Sequence, residues 1–174
     1  AEVEAAMAVL FGRATAAKAW PHYKARFGDD TTSAVVQVLT DYLFRCASQS
    51  IAAKLPNSFV YAFNHIDSFG PRLFDEFGLG QCAERACHMS EIPLVWNNRG
   101  PPSLNVSFTG AERDIAAAFG KGFATFARTG DAGWPVFDAH ERIALVLNET
   151  AAAAPMGEDS DVCTQFWDPS GYLH

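Results

Sequence analysis

Basic charge is scarce in this sequence: 13 Lys and Arg stand against 20 Asp and Glu, a formal net charge of -7 over 174 residues. No basic cluster breaks that balance, so neither nucleic acid nor an anionic membrane surface is an expected partner. Long apolar runs are missing too. No uninterrupted stretch approaches the roughly 20 residues that a membrane-crossing helix needs, so no membrane span is expected. Cysteines number only four, Cys46, Cys82, Cys87 and Cys163, and none stands in a Cys-x-x-Cys pair, which argues against a zinc ribbon or a thioredoxin-type site. The sequence has no Gly-x-Ser-x-Gly, no P-loop, no His-Glu-x-x-His and no EF-hand loop. The strained serine turn, the phosphate cradle and the common metal motifs are therefore absent. Gly78-Leu-Gly80-Gln-Cys-Ala83 loosely matches a dinucleotide fingerprint, but Phe74-Asp-Glu-Phe77 before it is a poor strand, so it reads as a plain loop. No cofactor and no metal are expected.

What is present is a globular composition: 49% hydrophobic, 13% aromatic and 19% charged residues. That excludes a disordered chain, and the length suits one domain with a real core. The first residue is Ala1 rather than Met, and the expectation is a chain that was processed or cut from a longer one.

Helical periodicity opens the chain. Val3, Met7, Leu10 and Phe11 share a face, with Gly12 as a stop; Ala16, Ala19, Trp20 and Tyr23 follow, with Pro21 as a kink or boundary. A turn rich in capping residues, Gly28 to Ser33, leads into a long amphipathic segment carrying Val35, Val38, Leu39, Tyr42, Leu43, Cys46 and Ile51. Phe59-Val-Tyr-Ala-Phe63 and Ile143-Ala-Leu-Val-Leu147 read as strands covered on both faces. Between them, Thr109-Gly-Ala-Glu112 has capping-box spacing and introduces a helix with the stripe Ile115, Phe119, Phe123 and Phe126, closed by Gly130. Asp161 to Trp167 is a short helix. The class is α/β, and two confident strands are few for this length, so the sheet is expected to be completed elsewhere.

Five histidines are available for proton chemistry. His22, His65, His140 and His174 lie in polar contexts and are expected to be exposed bystanders. His88 differs, because Cys87-His-Met-Ser-Glu91-Ile-Pro-Leu-Val-Trp96 is a loop running into an apolar segment. An imidazole on such a loop above a sheet is suited to shuttling protons near neutral pH. A zinc role for His88 with Cys82 and Cys87 lacks a further ligand at suitable spacing. Asn105-Val-Ser107 and Asn148-Glu-Thr150 fit the N-glycosylation acceptor pattern.

The His88 segment resembles the histidine loop of the type-B carboxylesterase and cholinesterase family. Other segments are similar to that family in the same order: Thr40-Asp-Tyr-Leu-Phe-Arg-Cys46, Phe59-Val-Tyr-Ala-Phe-Asn-His65, Phe123-Ala-Thr-Phe-Ala-Arg-Thr-Gly130 with Trp134-Pro135, and Cys163-Thr-Gln-Phe-Trp-Asp168. Together they cover the chain from about Asp41 to Trp167. The resemblance implies that residues 1–174 are the C-terminal portion of one α/β-hydrolase domain. Its sheet would be mixed, mostly parallel and flanked by helices, and it would be incomplete on its own.

The implied activity is serine-type hydrolysis of a small carboxylic ester through an acyl-enzyme, without a cofactor. His88 matches the family's catalytic histidine, while serine, oxyanion-hole glycines and acid belong to an N-terminal portion that would be the chain's partner. Glu91 matches a buried glutamate that would support the histidine. Met89 departs from the family's common glycine. Cys46 and Cys163 match a disulfide, and Cys82 with Cys87 would close a small loop beside His88. Disulfides of this kind imply a secreted or secretory-lumen protein. The alternative implied by the same resemblance is a non-catalytic binding or adhesion module that keeps the scaffold and lacks the nucleophile.

Overall fold

The computed structural model describes residues 2–70, 78, 80–98, 106–156 and 161–171. The chain divides into two units, Ala1–Pro56 with Gly157–His174, and Asn57–Met156.

The first unit is helical. α1 (Glu2–Phe11) stops at Gly12, and α2 (Arg13–Phe27) runs straight through Pro21 rather than ending there. Interior proline removes a backbone donor and is unfavourable by about 3 kcal/mol; the burial of Ala16, Ala19, Trp20 and Tyr23 on that helix offsets it. The side chain of Asp30 accepts a hydrogen bond from the Ser33 amide and caps α3 (Thr31–Leu39).

The single amphipathic helix expected beyond it is interrupted by a wide π turn, Thr40–Arg45, before α4 (Cys46–Ala52). The wider turn rotates the inward face. Ala34, Val38, Asp41, Cys46 and Gln49 are buried, whereas Leu39, Leu43 and Ile51 are exposed, as is Leu10 on α1. These four apolar positions are corrections to the expected core.

A second π turn, Cys163–Trp167, followed by a single helical turn, Asp168–Ser170, carries Trp167 into the same core. There the Trp167 indole donates to the Tyr23 hydroxyl at 2.9 Å, which donates to Asp41 at 2.8 Å. Gln37 and Arg45 also reach Asp41, each at 2.8 Å. Burial pushes the carboxyl of Asp41 up despite Arg45, Tyr23 and Gln37, which pull it down. Cys46 is disulfide-bonded to Cys163.

The second unit holds a mixed sheet. β1 (Tyr61–Phe63) runs parallel to β2 (Ile143–Leu147), with Tyr61 opposite Leu145 and Phe63 opposite Leu147. β2 turns back into β3 (Ala151–Pro155), its antiparallel neighbour, giving the order β1-β2-β3. β3 was not expected: alanine is a weak strand former, and this strand is mostly exposed. β2 is buried nearly throughout, but β1 is only half-buried, which corrects the expectation that both strands are covered on both faces.

The long helix of this unit, Gly110–Thr129, starts in a complete capping box between Thr109 and Glu112 and ends at Gly130 in the left-handed conformation. Its Ile115, Ala116 and Phe119 join Leu145, Leu147 and Leu94 in the core, while Phe123 and Phe126 remain part-exposed. The Trp134 indole packs so tightly on Gly122 that a side-chain carbon there would overlap the ring.

Candidate functional site

The candidate catalytic residue sits on a turn whose backbone is tied at several points. A 3-10 turn, Gly80–Ala83, leads into the loop closed by the Cys82–Cys87 disulfide. The chain then bends through residues 88–91: the Ser90 amide donates to the Cys87 carbonyl at 3.1 Å, and the Ile92 amide to the Met89 carbonyl at 3.2 Å. A single helical turn, Ile92–Val95, follows, with Pro93 in its first turn and fully buried Leu94 anchoring it in the core.

Met89 adopts φ 71. That left-handed conformation favours glycine, the residue common at this point in the resembling family. His88 is exposed and Ser90 is 1% exposed. The turn thus presents the imidazole outward and buries the neighbouring hydroxyl. Glu91 is half-buried. Its charge reaches Tyr61 and Asp67, raising the pKa of each, second to burial at Tyr61 and a smaller contributor at Asp67.

Beneath Ser90 lies a cluster that sequence reasoning missed. Past β1 the Asn64 amide still donates to the Leu147 carbonyl, at 2.7 Å, and the chain then turns inward. His65 and Asp67 are consequently 5% and 4% exposed. The expectation of an exposed His65 is therefore corrected: Asn64 and Ser68 stay exposed, while His65 and Asp67 alternate inward into a buried polar pocket. A signal did exist, since the C-terminal end of a parallel strand is where such sheets gather ligand-binding groups.

Glu112 enters the same pocket from the helix start. Its carboxylate accepts from the Ser68 amide at 2.7 Å, the Ser68 hydroxyl at 2.8 Å and the Thr109 amide at 2.6 Å. Burial alone pushes this carboxyl up, but the Thr109 and Ser68 hydrogen bonds outweigh it and hold the pKa below the ordinary carboxylate value. Asp67 shows the opposite balance. Burial dominates; the Ser90 hydroxyl eases it, and the charges of Glu112 and Glu91 reinforce it, so the pKa rises to about 7. His65 lies between two carboxylates, with Nε2 3.6 Å from Glu112 Oε1 and Nδ1 3.7 Å from Glu149 Oε1.

The other candidate residues are elsewhere. Cys46 and Cys163 belong to the helical unit. Asn148 is exposed at the β2–β3 turn, where its side chain accepts from the Thr150 amide at 3.1 Å. Asn105 lies outside the described residues.

The chain matches the carboxylesterase family over residues 6–158. It is also 28% identical, over 133 residues, to a "Crystal protein" of Dictyostelium discoideum. That alignment takes in 73% of this chain and 23% of the relative, so the chain spans about a quarter of the length of the curated relative it matches. The family match covers most of the sequence and includes the His88 turn, β1, β2 and the long helix between them: the chain belongs to the carboxylesterase family.

Proposed function

We propose that this chain is the C-terminal portion of an α/β-hydrolase domain and contributes the catalytic histidine, His88, to a serine-type carboxylic-ester hydrolase. The carrying observation is the family match over residues 6–158. The exposure of His88 on a tied turn is consistent with it.

In this reading, the imidazole takes the proton of a serine hydroxyl as that oxygen attacks the ester carbonyl. It returns the proton to the departing alcohol, then repeats the cycle with water to release the acid. Proton and electron bookkeeping needs no cofactor. The serine, its acid partner and the oxyanion donors lie on an N-terminal portion, which packs beside His88. Glu91 acts through the turn, holding it rather than touching the reacting atoms. The open edge of β1, which among the described residues pairs with β2 only, is consistent with a sheet continued by other polypeptide. The two disulfides favour a secreted or secretory-lumen setting, where Asn105 and the exposed Asn148 would be glycan acceptors.

The test is ester turnover. The purified chain by itself is expected to leave a nitrophenyl ester unhydrolysed; turnover that a serine-directed inhibitor stops would overturn the division of labour. A second reading, a binding module without catalysis, is favoured by one observation: the Dictyostelium relative is named for a crystal and not for a reaction. The residue at the serine elbow of the complete protein separates the two. Covalent labelling by a fluorophosphonate supports the hydrolase, and absence of labelling supports the module.

A further inference from the structure

We propose that His65, Asp67 and Glu112 form a divalent-cation site of the zinc class beneath the His88 turn. One donor atom from each of the three residues lies within 4.8 Å of the other two, and all three side chains are at least nine-tenths buried. The site does not rest on the hydrolase reading.

Three observations on geometry carry it. First, the His65 Nε2–Glu112 Oε1 separation of 3.6 Å is too long for a good hydrogen bond. It is close to the roughly 3.3 Å edge of a tetrahedron whose metal–ligand bonds are about 2.0–2.1 Å. Second, Asp67 Oδ1 is buried and makes no hydrogen bond within 3.5 Å among the described residues; the neighbouring Ser90 hydroxyl, itself buried, does not complete one. A buried orphan acceptor is costly unless something positive meets it, and a cation held with Nε2 and the Glu112 carboxylate does so. Third, Glu149 Oε1 stands 3.7 Å from the far nitrogen of His65, outside hydrogen-bond reach as it stands but placed to accept from it once a cation on Nε2 fixes the ring. A carboxylate behind a ligating imidazole is the recurrent support that fixes its tautomer and raises its basicity. Glu112 is already rigid and anionic through its bonds to Ser68 and Thr109.

The chemical class follows from the donors. One imidazole with two carboxylates suits a borderline cation such as Zn2+ better than a calcium-type cage of oxygens. A bound ion would join the end of β1 to the start of the long helix and, through the Ser90 hydroxyl beside Asp67, steady the base of the His88 turn. The spacing of the ligands explains why no motif announces them: two stand at a strand end and the third far downstream, brought together only by the fold.

The experiment uses the purified protein, stripped with EDTA and titrated with Zn2+ by calorimetry and by thermal melting. One equivalent bound with micromolar or tighter affinity, and a raised melting midpoint, are expected. Asp67→Asn should weaken that binding at least tenfold, and Glu149→Gln about tenfold, while His140→Ala, which removes an exposed surface imidazole, leaves it unchanged. Zinc-edge absorption should show nitrogen and oxygen ligands, one imidazole and no sulfur. No one-equivalent site, or affinity unchanged in both acidic-site variants, overturns the proposal. If Asp67→Asn lacks the native circular-dichroism spectrum, Glu149→Gln decides alone, because its side chain is exposed and its loss leaves the core intact.

Discussion

Met89 and Asp67 each sit in a conformation or environment that their residue type disfavours, and each makes a sharp prediction. An L-residue in the left-handed region is unfavourable by about 1–2 kcal/mol, and Met89 has φ 71. Glycine relieves the strain but gives the unfolded chain more freedom. Met89→Gly is therefore expected to stabilise the protein by up to about 1 kcal/mol, seen as a higher denaturant midpoint with an unchanged slope.

Asp67 in metal-free protein gives a pH signature. Unfolded, the carboxyl titrates near its ordinary value of about 4; folded, it titrates at about 7, because burial outweighs the Ser90 hydroxyl and is joined by the Glu112 and Glu91 charges. Between those values the folded state holds a proton that the unfolded state has lost. Asp67's contribution is thus greatest below about pH 4 and declines as pH rises to about 7. Thermal melts from acid to neutral pH check this: the fall should be smaller in Asp67→Asn, which cannot ionise. Glu112, with its depressed pKa, acts in the opposite sense and in a more acidic window, losing its contribution as pH falls through the folded value. At this scale the sequence set His88 apart by its loop context and by the family resemblance, but gave no sign that His65 is buried. A polar local context does not reveal whether a fold closes over it.

Elements show the same split between what is local and what is not. The capping box at Thr109–Glu112, the cap at Asp30 and the stop at Gly130 are decided by neighbouring residues, and they stand where the spacing puts them. The π turn at Thr40–Arg45 is not decided locally. It brings Asp41 to Tyr23, and a helical period carried through it unchanged assigns Leu43 and Ile51 to the core when they are exposed. β3 escapes for a related reason: only pairing with β2 makes an alanine run extended.

Two element-scale changes test the packing. Gly122→Ala, although favourable by about 1 kcal/mol for helix propensity, forces the Trp134 ring aside; a net loss of roughly 1–3 kcal/mol in denaturant unfolding is expected. The Cys46–Cys163 bridge closes a separation of 117 residues. Loop entropy gives it roughly 4–5 kcal/mol, so the Cys46→Ala/Cys163→Ala double variant should unfold at a much lower denaturant concentration.

For the whole molecule, family membership was legible in scattered short segments from about Asp41 to Trp167, and the family match over residues 6–158 overlaps most of that stretch, adding the N-terminal helices and stopping short of the segment at residues 163–168. The mixed helix-and-sheet character was legible too, although the sheet is small and half of its pairing is antiparallel. Exposed Leu43, Phe44, Ile51 and Leu55 in one unit, and Ile66, Ile92 and Trp96 in the other, are large apolar side chains in water. Singly exposed apolar side chains are common on protein surfaces.

The central claim is that His88 moves the proton for a nucleophile carried on other polypeptide. Its most direct measurement is kcat for a nitrophenyl ester in the chain joined to its upstream portion, with His88 intact and with His88→Gln. The account predicts turnover that a serine-directed inhibitor abolishes, and a loss of roughly 1,000-fold or more in kcat on substitution with the fold unchanged. A His88→Gln variant that keeps kcat within tenfold of the parent would contradict it.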